Sequence, residues 1–201
     1  MVTNNILKQY KNAPLGGDGA QRKKIHPYKF TLWVGIGSII MMFAGFTSAY
    51  IVKREQPGWI GFSMPVIFWY STGVMLLSSV LMQMSVAAFK NRDMVKYRNL
   101  IASTTGLGML FVVLQIIGYV HLNRIGVRVE GSGGGVFFII IFGIHALHVL
   151  GGIITLLVLF FRSLSSRIRS YNSIPVEVAA TYWHFVDLLW VYLFIFFMVI
   201  Q

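Results

Sequence analysis

The chain has 201 residues, of which 56% are hydrophobic and 11% charged, where a soluble domain carries about 25% charged residues. That balance excludes a water-soluble globular fold and implies a polytopic membrane protein. The formal charge of +11 (17 Lys and Arg against 6 Asp and Glu) does not indicate a nucleic-acid partner, because the basic residues fall between apolar segments, and the lack of cysteine excludes disulfides, Cys-ligated clusters and thiol chemistry.

Residues 1–27 are polar and basic, with Pro14-Leu15-Gly16-Gly17-Asp18-Gly19 and the run Arg22-Lys23-Lys24. They have no short apolar region or small-residue cleavage site, so the sequence predicts a flexible cytoplasmic arm that stays attached rather than a signal peptide. Residues 28–201 form a membrane domain, expected to be all-α. Five apolar spans are expected, at residues 30–52, 65–89, 99–122, 136–161 and 178–200. Each exceeds the roughly 20 residues that cross a bilayer core of about 30 Å. Pro27, Pro65 and Pro175 sit at or just before span starts and none lies inside one, which predicts straight, uninterrupted helices.

The first span holds Gly45-x-x-x-Ala49, a small-residue pair suited to a close helix contact. The loop that follows carries Lys53, Arg54 and Trp59, the last suited to the membrane interface. Gln83 and Gln115 lie inside the second and third spans, where an amide is expected to bond another helix. Gly131-Ser132-Gly133-Gly134-Gly135 precedes the fourth span; without a following Lys-Ser/Thr it is an outer turn, not a phosphate loop. Orientation follows from Lys and Arg. Thirteen lie in the arm and in the loops after spans two and four, against four (Lys53, Arg54, Arg124, Arg128) in the opposite loops. This places the N-terminus in the cytoplasm and the C-terminus outside.

Four ionisable residues sit at mid-depth. His145 and His148 share a face of the fourth span with Gly152, at i, i+3 and i+7; His184 and Asp187 share a face of the fifth, at i and i+3. Counted from the span ends, the first pair lies about 14 and 18 Å deep and the second about 12 and 16 Å from the other side. The heights match, so a cluster joining His184 and Asp187 to His148, with His145 beside them, is expected. Two His on one helix at i, i+3 do not supply opposed haem ligands, and a metal site needs three or four ligands with support behind them. A structural or proton-handling hydrogen-bond cluster is the reading left; no catalytic, cofactor or metal residue is assigned.

The run Tyr182-Trp183-His184-Phe185-Val186-Asp187 through Trp190, with Glu177 ahead of it, resembles the ending of the cytochrome c oxidase subunit III family, in its short five-helix bacterial form. Phe142-Gly143-x-His145-x-x-His148-Val149-x-Gly151-Gly152 resembles a second motif of that family. Weaker matches are Trp33, Ala49-Tyr50, Lys53-Arg54 and Gln115-x-x-x-Tyr119. The resemblance covers residues 27 to 201. It implies an accessory subunit of a proton-pumping terminal oxidase in the bacterial inner membrane. Such a subunit carries no cofactor of its own. It packs against the catalytic subunit I, which holds the haem and copper, and against other oxidase subunits; it contacts membrane lipid, with room for bound phospholipid, and supports proton uptake. The sequence departs from the family at two carboxylate positions, where it has Ile39 after Ser38 and Gly118 before Tyr119. Two alternatives remain at this point: a subunit III-like component of a quinol oxidase or nitric oxide reductase, and a stand-alone proton transporter or channel using the four polar residues.

Overall fold

A computed structural model describes residues 27–55, 64–124, 133–164 and 173–200. The arm, Trp59 and the first two residues of the Gly-rich turn lie outside the described residues. Five helices follow one another: α1 (Pro27–Arg54), α2 (Ile67–Lys90), α3 (Met94–Arg124), α4 (Gly133–Leu164) and α5 (Ile174–Val199). All five are long and apolar enough to cross a membrane. Large apolar side chains such as Trp33, Met41, Leu77, Ile116, Leu147 and Leu188 are exposed on the outer faces. Helices apolar all round, rather than along one stripe, are solvated by lipid or by another chain.

The prolines act as their positions require. Pro27 opens α1 and Pro175 lies in the first turn of α5, where a missing N–H costs nothing. Helix α3 starts five residues earlier than the sequence indicates, because α2 and α3 are joined by only Asn91, Arg92 and Asp93. The N–H of Asp93 bonds the Ala88 carbonyl (3.1 Å) and that of Arg92 the Phe89 carbonyl (3.1 Å), with Arg92 at φ 59°. This is the Schellman ending of a helix, with arginine in the left-handed position usually held by glycine. Asp93 then caps α3, its Oδ1 accepting from the Lys96 N–H at 3.1 Å. Lys96 and Arg98 therefore belong to the first turns of α3 rather than to a loop.

Helices α2, α3, α4 and α5 pack in a ring, each against the next and α5 back against α2, while α1 docks outside on α4 and α5. Helix α1 has no comparable packing against α2 or α3, and only Ile36, Phe43, Thr47 and Tyr50 are buried on it.

Two tryptophans of α5, both fully buried, fill the ring. The benzo ring of Trp183 packs against α3 and α4 where each has a glycine. A Cβ on Gly108 would meet its ring at 2.7 Å and one on Gly152 at 2.9 Å. Two turns further on, Trp190 is surrounded by Phe111 of α3, Phe142 and His145 of α4 and Phe68 of α2, with ring centroids 5.1 to 6.1 Å away. The same logic recurs at Gly118, where a Cβ would meet the Phe68 ring at 2.8 Å. Gly45, by contrast, is exposed, with nothing within 4 Å of a built Cβ. The close contact expected at Gly45 and Ala49 is not made inside this chain, because α1 turns that face away from the ring.

Two outcomes are expected in thermal unfolding of the purified protein. Asp93→Ala should cost about 1 kcal/mol through the lost cap, with Asp93→Asn retaining most of it. Gly108→Ala should cost about 1–3 kcal/mol by overpacking. Gly106→Ala, two residues away in open space, should be neutral or gain up to about 1 kcal/mol from helix propensity.

Candidate functional site

The polar groups of the bundle are arranged along α2, not where the four sequence-selected residues alone would put them. Ser71, Ser78 and Ser85 repeat every seven residues, as do Thr72 and Ser79, so their hydroxyls form a column on the face turned to α3 and α5. Gln115 of α3 donates through Nε2 to Ser71 Oγ at 3.2 Å. The indole N–H of Trp190 donates to Thr72 Oγ1 at 3.0 Å, and that of Trp183 to Ser78 Oγ at 3.1 Å. His184 completes the column: its Nδ1 faces Ser79 Oγ at 2.6 Å and its Nε2 faces Gln83 Oε1 at 3.3 Å. With Gln83 Oε1 accepting from Nε2–H, Nδ1 is left to accept from the serine hydroxyl. The sequence analysis missed Ser71, Thr72, Ser78 and Ser79, although their heptad spacing is visible in the chain.

His145, His148, His184 and Asp187 do not form one hydrogen-bonded cluster. His184 turns to α2. His148 donates from Nδ1 to its own helix, at the Ile144 carbonyl (2.7 Å), and its backbone carbonyl accepts from the Tyr182 hydroxyl at 3.1 Å. His145 is buried in an aromatic box of Phe43, Phe111 and Trp190, and neither ring nitrogen has a protein partner. Asp187, 3% exposed, lies against Ser79, yet neither carboxylate oxygen makes a hydrogen bond of ordinary geometry. The physical reason is helix rotation. Seating Trp183 and Trp190 on the ring axis points Asp187 toward α2 and leaves the α4 histidines to the aromatic layer.

A second group lies at the end of the bundle that holds the start of α1. Glu177, in the first turn of α5, accepts from Lys29 of α1 at 2.8 Å and pairs with Lys90 of α2 at 3.2 Å. Lys29 meets Oε2, and Ser173 donates to Oε1, the oxygen that pairs with Lys90, at 3.2 Å. One carboxylate at a helix N-terminus, favoured there by the helix dipole, thus links three helices. Both lysines are well exposed, so the network contributes position more than stability. Between it and His184 lies a cleft of about 350 Å³ lined by Lys29, Gln83, Lys90, Glu177, Thr181 and His184. Among the described residues no group of three His, Cys, Asp or Glu is arranged to hold a metal ion.

The column, the two buried tryptophans and Glu177 with Lys90 all lie in the part of the chain that a family model matches. A family model for cytochrome c oxidase subunit III matches residues 59–200, which take in all of α2 to α5 and leave out α1. The chain belongs to the cytochrome c oxidase subunit III family. A probable cytochrome c oxidase subunit 3 of Nocardia farcinica is 32% identical over 188 residues, covering 86% of this chain and 90% of the relative. The cytochrome c oxidase subunit 3 of Corynebacterium diphtheriae is 31% identical over 176 residues, covering 81% and 85%. That of Bacillus sp. strain PS3 is 28% identical over 167 residues, covering 81% and 80%. Subunit III membership gives the α2 column its context: these contacts build a bundle inside a larger membrane assembly.

The geometry separates two substitutions. Ser79→Ala strands His184 Nδ1 and should cost about 1 kcal/mol. Asp187→Asn removes a carboxyl with no bonded partner and should cost less than Ser79→Ala in the same thermal unfolding assay.

Proposed function

We propose that this chain is the non-catalytic subunit III of a haem-copper terminal oxidase in the inner membrane of a bacterium, with its N-terminus in the cytoplasm. It stabilises the catalytic subunit and its lipids and sustains proton uptake during oxygen reduction. The observation that carries the reading is the family match across α2 to α5, the four helices that make the closed ring. Several features support the finer points. The exposed side of α1 offers Gly37, Ser38, Ala44, Gly45 and Ser48, small enough for another subunit's helix to approach closely. The three mid-depth histidines are each committed to packing or to bonds within the bundle, which suits a chain whose partner, catalytic subunit I, holds the haem and copper. Lys29, Lys90, Lys96 and Arg98 gather at one end of the helices, the end that the positive-inside rule places in the cytoplasm. Five uninterrupted helices around an aromatic centre give a stand-alone transporter nothing to alternate.

Affinity purification of the tagged chain in a mild detergent tests the proposal. The preparation should contain haem and a larger partner and should consume oxygen with a reduced donor. The chain stripped from that partner should lose the haem absorbance. Recovery of the intact chain without haem, or with haem that stays on the isolated chain, would contradict it.

A further inference from the structure

We propose that Asp187 is a proton-binding site, filled and emptied from the basic end of the bundle through His184 and Ser79. The proposal is separate from the oxidase assignment: the family reading stands if it fails.

Three observations place the groups in file. The polar cleft has room for several waters and reaches inward as far as His184, which lines its inner wall with Gln83. From there a hydrogen-bonded file runs inward, with His184 Nε2 at 3.3 Å from Gln83 Oε1 and His184 Nδ1 at 2.6 Å from Ser79 Oγ; with the Gln83 oxygen accepting from Nε2–H, Ser79 Oγ–H donates to Nδ1. Ser79 stands between the imidazole and the Asp187 carboxyl, and its one proton can serve either. While that proton is on the imidazole side, the serine oxygen accepts from a protonated carboxyl; turned the other way, the hydroxyl donates to the carboxylate. Asp187 is the one group in the file that is buried with both oxygens unpartnered, which is what a site that gains and loses a proton requires.

The transfer balances without any added reagent. The Asp187 O–H bond breaks as its proton moves to Ser79 Oγ. The serine's own proton moves to His184 Nδ1, and His184 Nε2 releases its proton to water in the cleft. The products are an Asp187 carboxylate, an intact serine hydroxyl, a neutral His184 in the opposite tautomer and one hydronium ion; filling is the reverse. The other charged or titratable groups around the file are Lys29 on α1, Lys90 on α2 and Glu177 on α5, which share the mouth, and His145 on α4, which lies across the Trp190 ring. Beyond Asp187, α5 buries Trp190, Leu193, Phe194 and Phe197 against Phe68, Phe138 and Phe142. That aromatic layer ends the file, so the site stores a proton and does not conduct one across the membrane.

Infrared difference spectroscopy of the purified complex in lipid, acid minus alkaline with the metal centres held oxidised, tests the site. The wild-type spectrum should contain a carbonyl-stretch band of a protonated carboxylic acid. Asp187→Asn should abolish that band, and Asp187→Glu should restore one at a shifted frequency. In Ser79→Ala the band should persist, but its deuterium shift after transfer to heavy water should be slowed roughly tenfold. A band pattern unchanged by Asp187→Asn would overturn the proposal. So would exchange as fast in Ser79→Ala as in the wild type, and that variant decides the matter alone if Asp187→Asn does not assemble.

Discussion

The arrangement depends on the contact between one tryptophan ring and two glycines. In lipid, the apolar outer surface of a helix gains nothing from burial against another apolar helix, so helices associate by close packing and by internal hydrogen bonds. Trp183 supplies both. Its ring occupies the space that Gly108 and Gly152 leave open on α3 and α4, and its N–H reaches Ser78 on α2. A single side chain of α5 therefore fixes the distance to the other three helices of the ring. Trp190 repeats the arrangement two turns on, with aromatic neighbours in place of glycines and Thr72 in place of Ser78.

Once α5 is set by its tryptophans, the rotation of every other residue on it is set too. Glu177 falls at the entrance between Lys29 and Lys90, His184 falls opposite Ser79, and Tyr182 falls beside α4, where its hydroxyl meets the His148 carbonyl. Helix α1 stands apart from this logic. It is held by the Lys29–Glu177 pair at one end, by a Thr47–Tyr192 hydrogen bond of 3.0 Å in the middle and by Tyr50 among Phe196 and Phe197 at the other end. Much of its remaining surface is open. An outer helix joined at three points and otherwise exposed is what a bundle presents when it completes its packing inside a larger complex.

Much of this is legible in the chain. Five long apolar runs bounded by prolines and basic residues give the five helices, since length and hydropathy decide a membrane span almost alone. Gly152 stands out because it shares a face with two histidines, and the motif around Trp183 points to the family. Other features depend on relations between helices that one-dimensional spacing does not carry. Gly108 and Gly45 look alike in sequence; only the rotation of α3 and α1 makes one a seat for a ring and the other an outer surface. Depth estimates bring His148 and Asp187 to one height, but height does not fix azimuth, and the tryptophans turn Asp187 to α2 instead. The heptad column of Ser71, Thr72, Ser78 and Ser79 could have been read from spacing, had hydroxyls been weighed alongside charged groups as interhelical partners.

A double-mutant cycle between Gly108→Ala and Trp183→Phe tests the central contact most directly. The added methyl meets the outer benzo edge of the indole, at Cη2 and Cζ2, which phenylalanine lacks. The contact account predicts that the cost of Gly108→Ala, measured by thermal unfolding, largely disappears in the Trp183→Phe background, a coupling of about 1 kcal/mol or more. Additive effects of the two substitutions would contradict it.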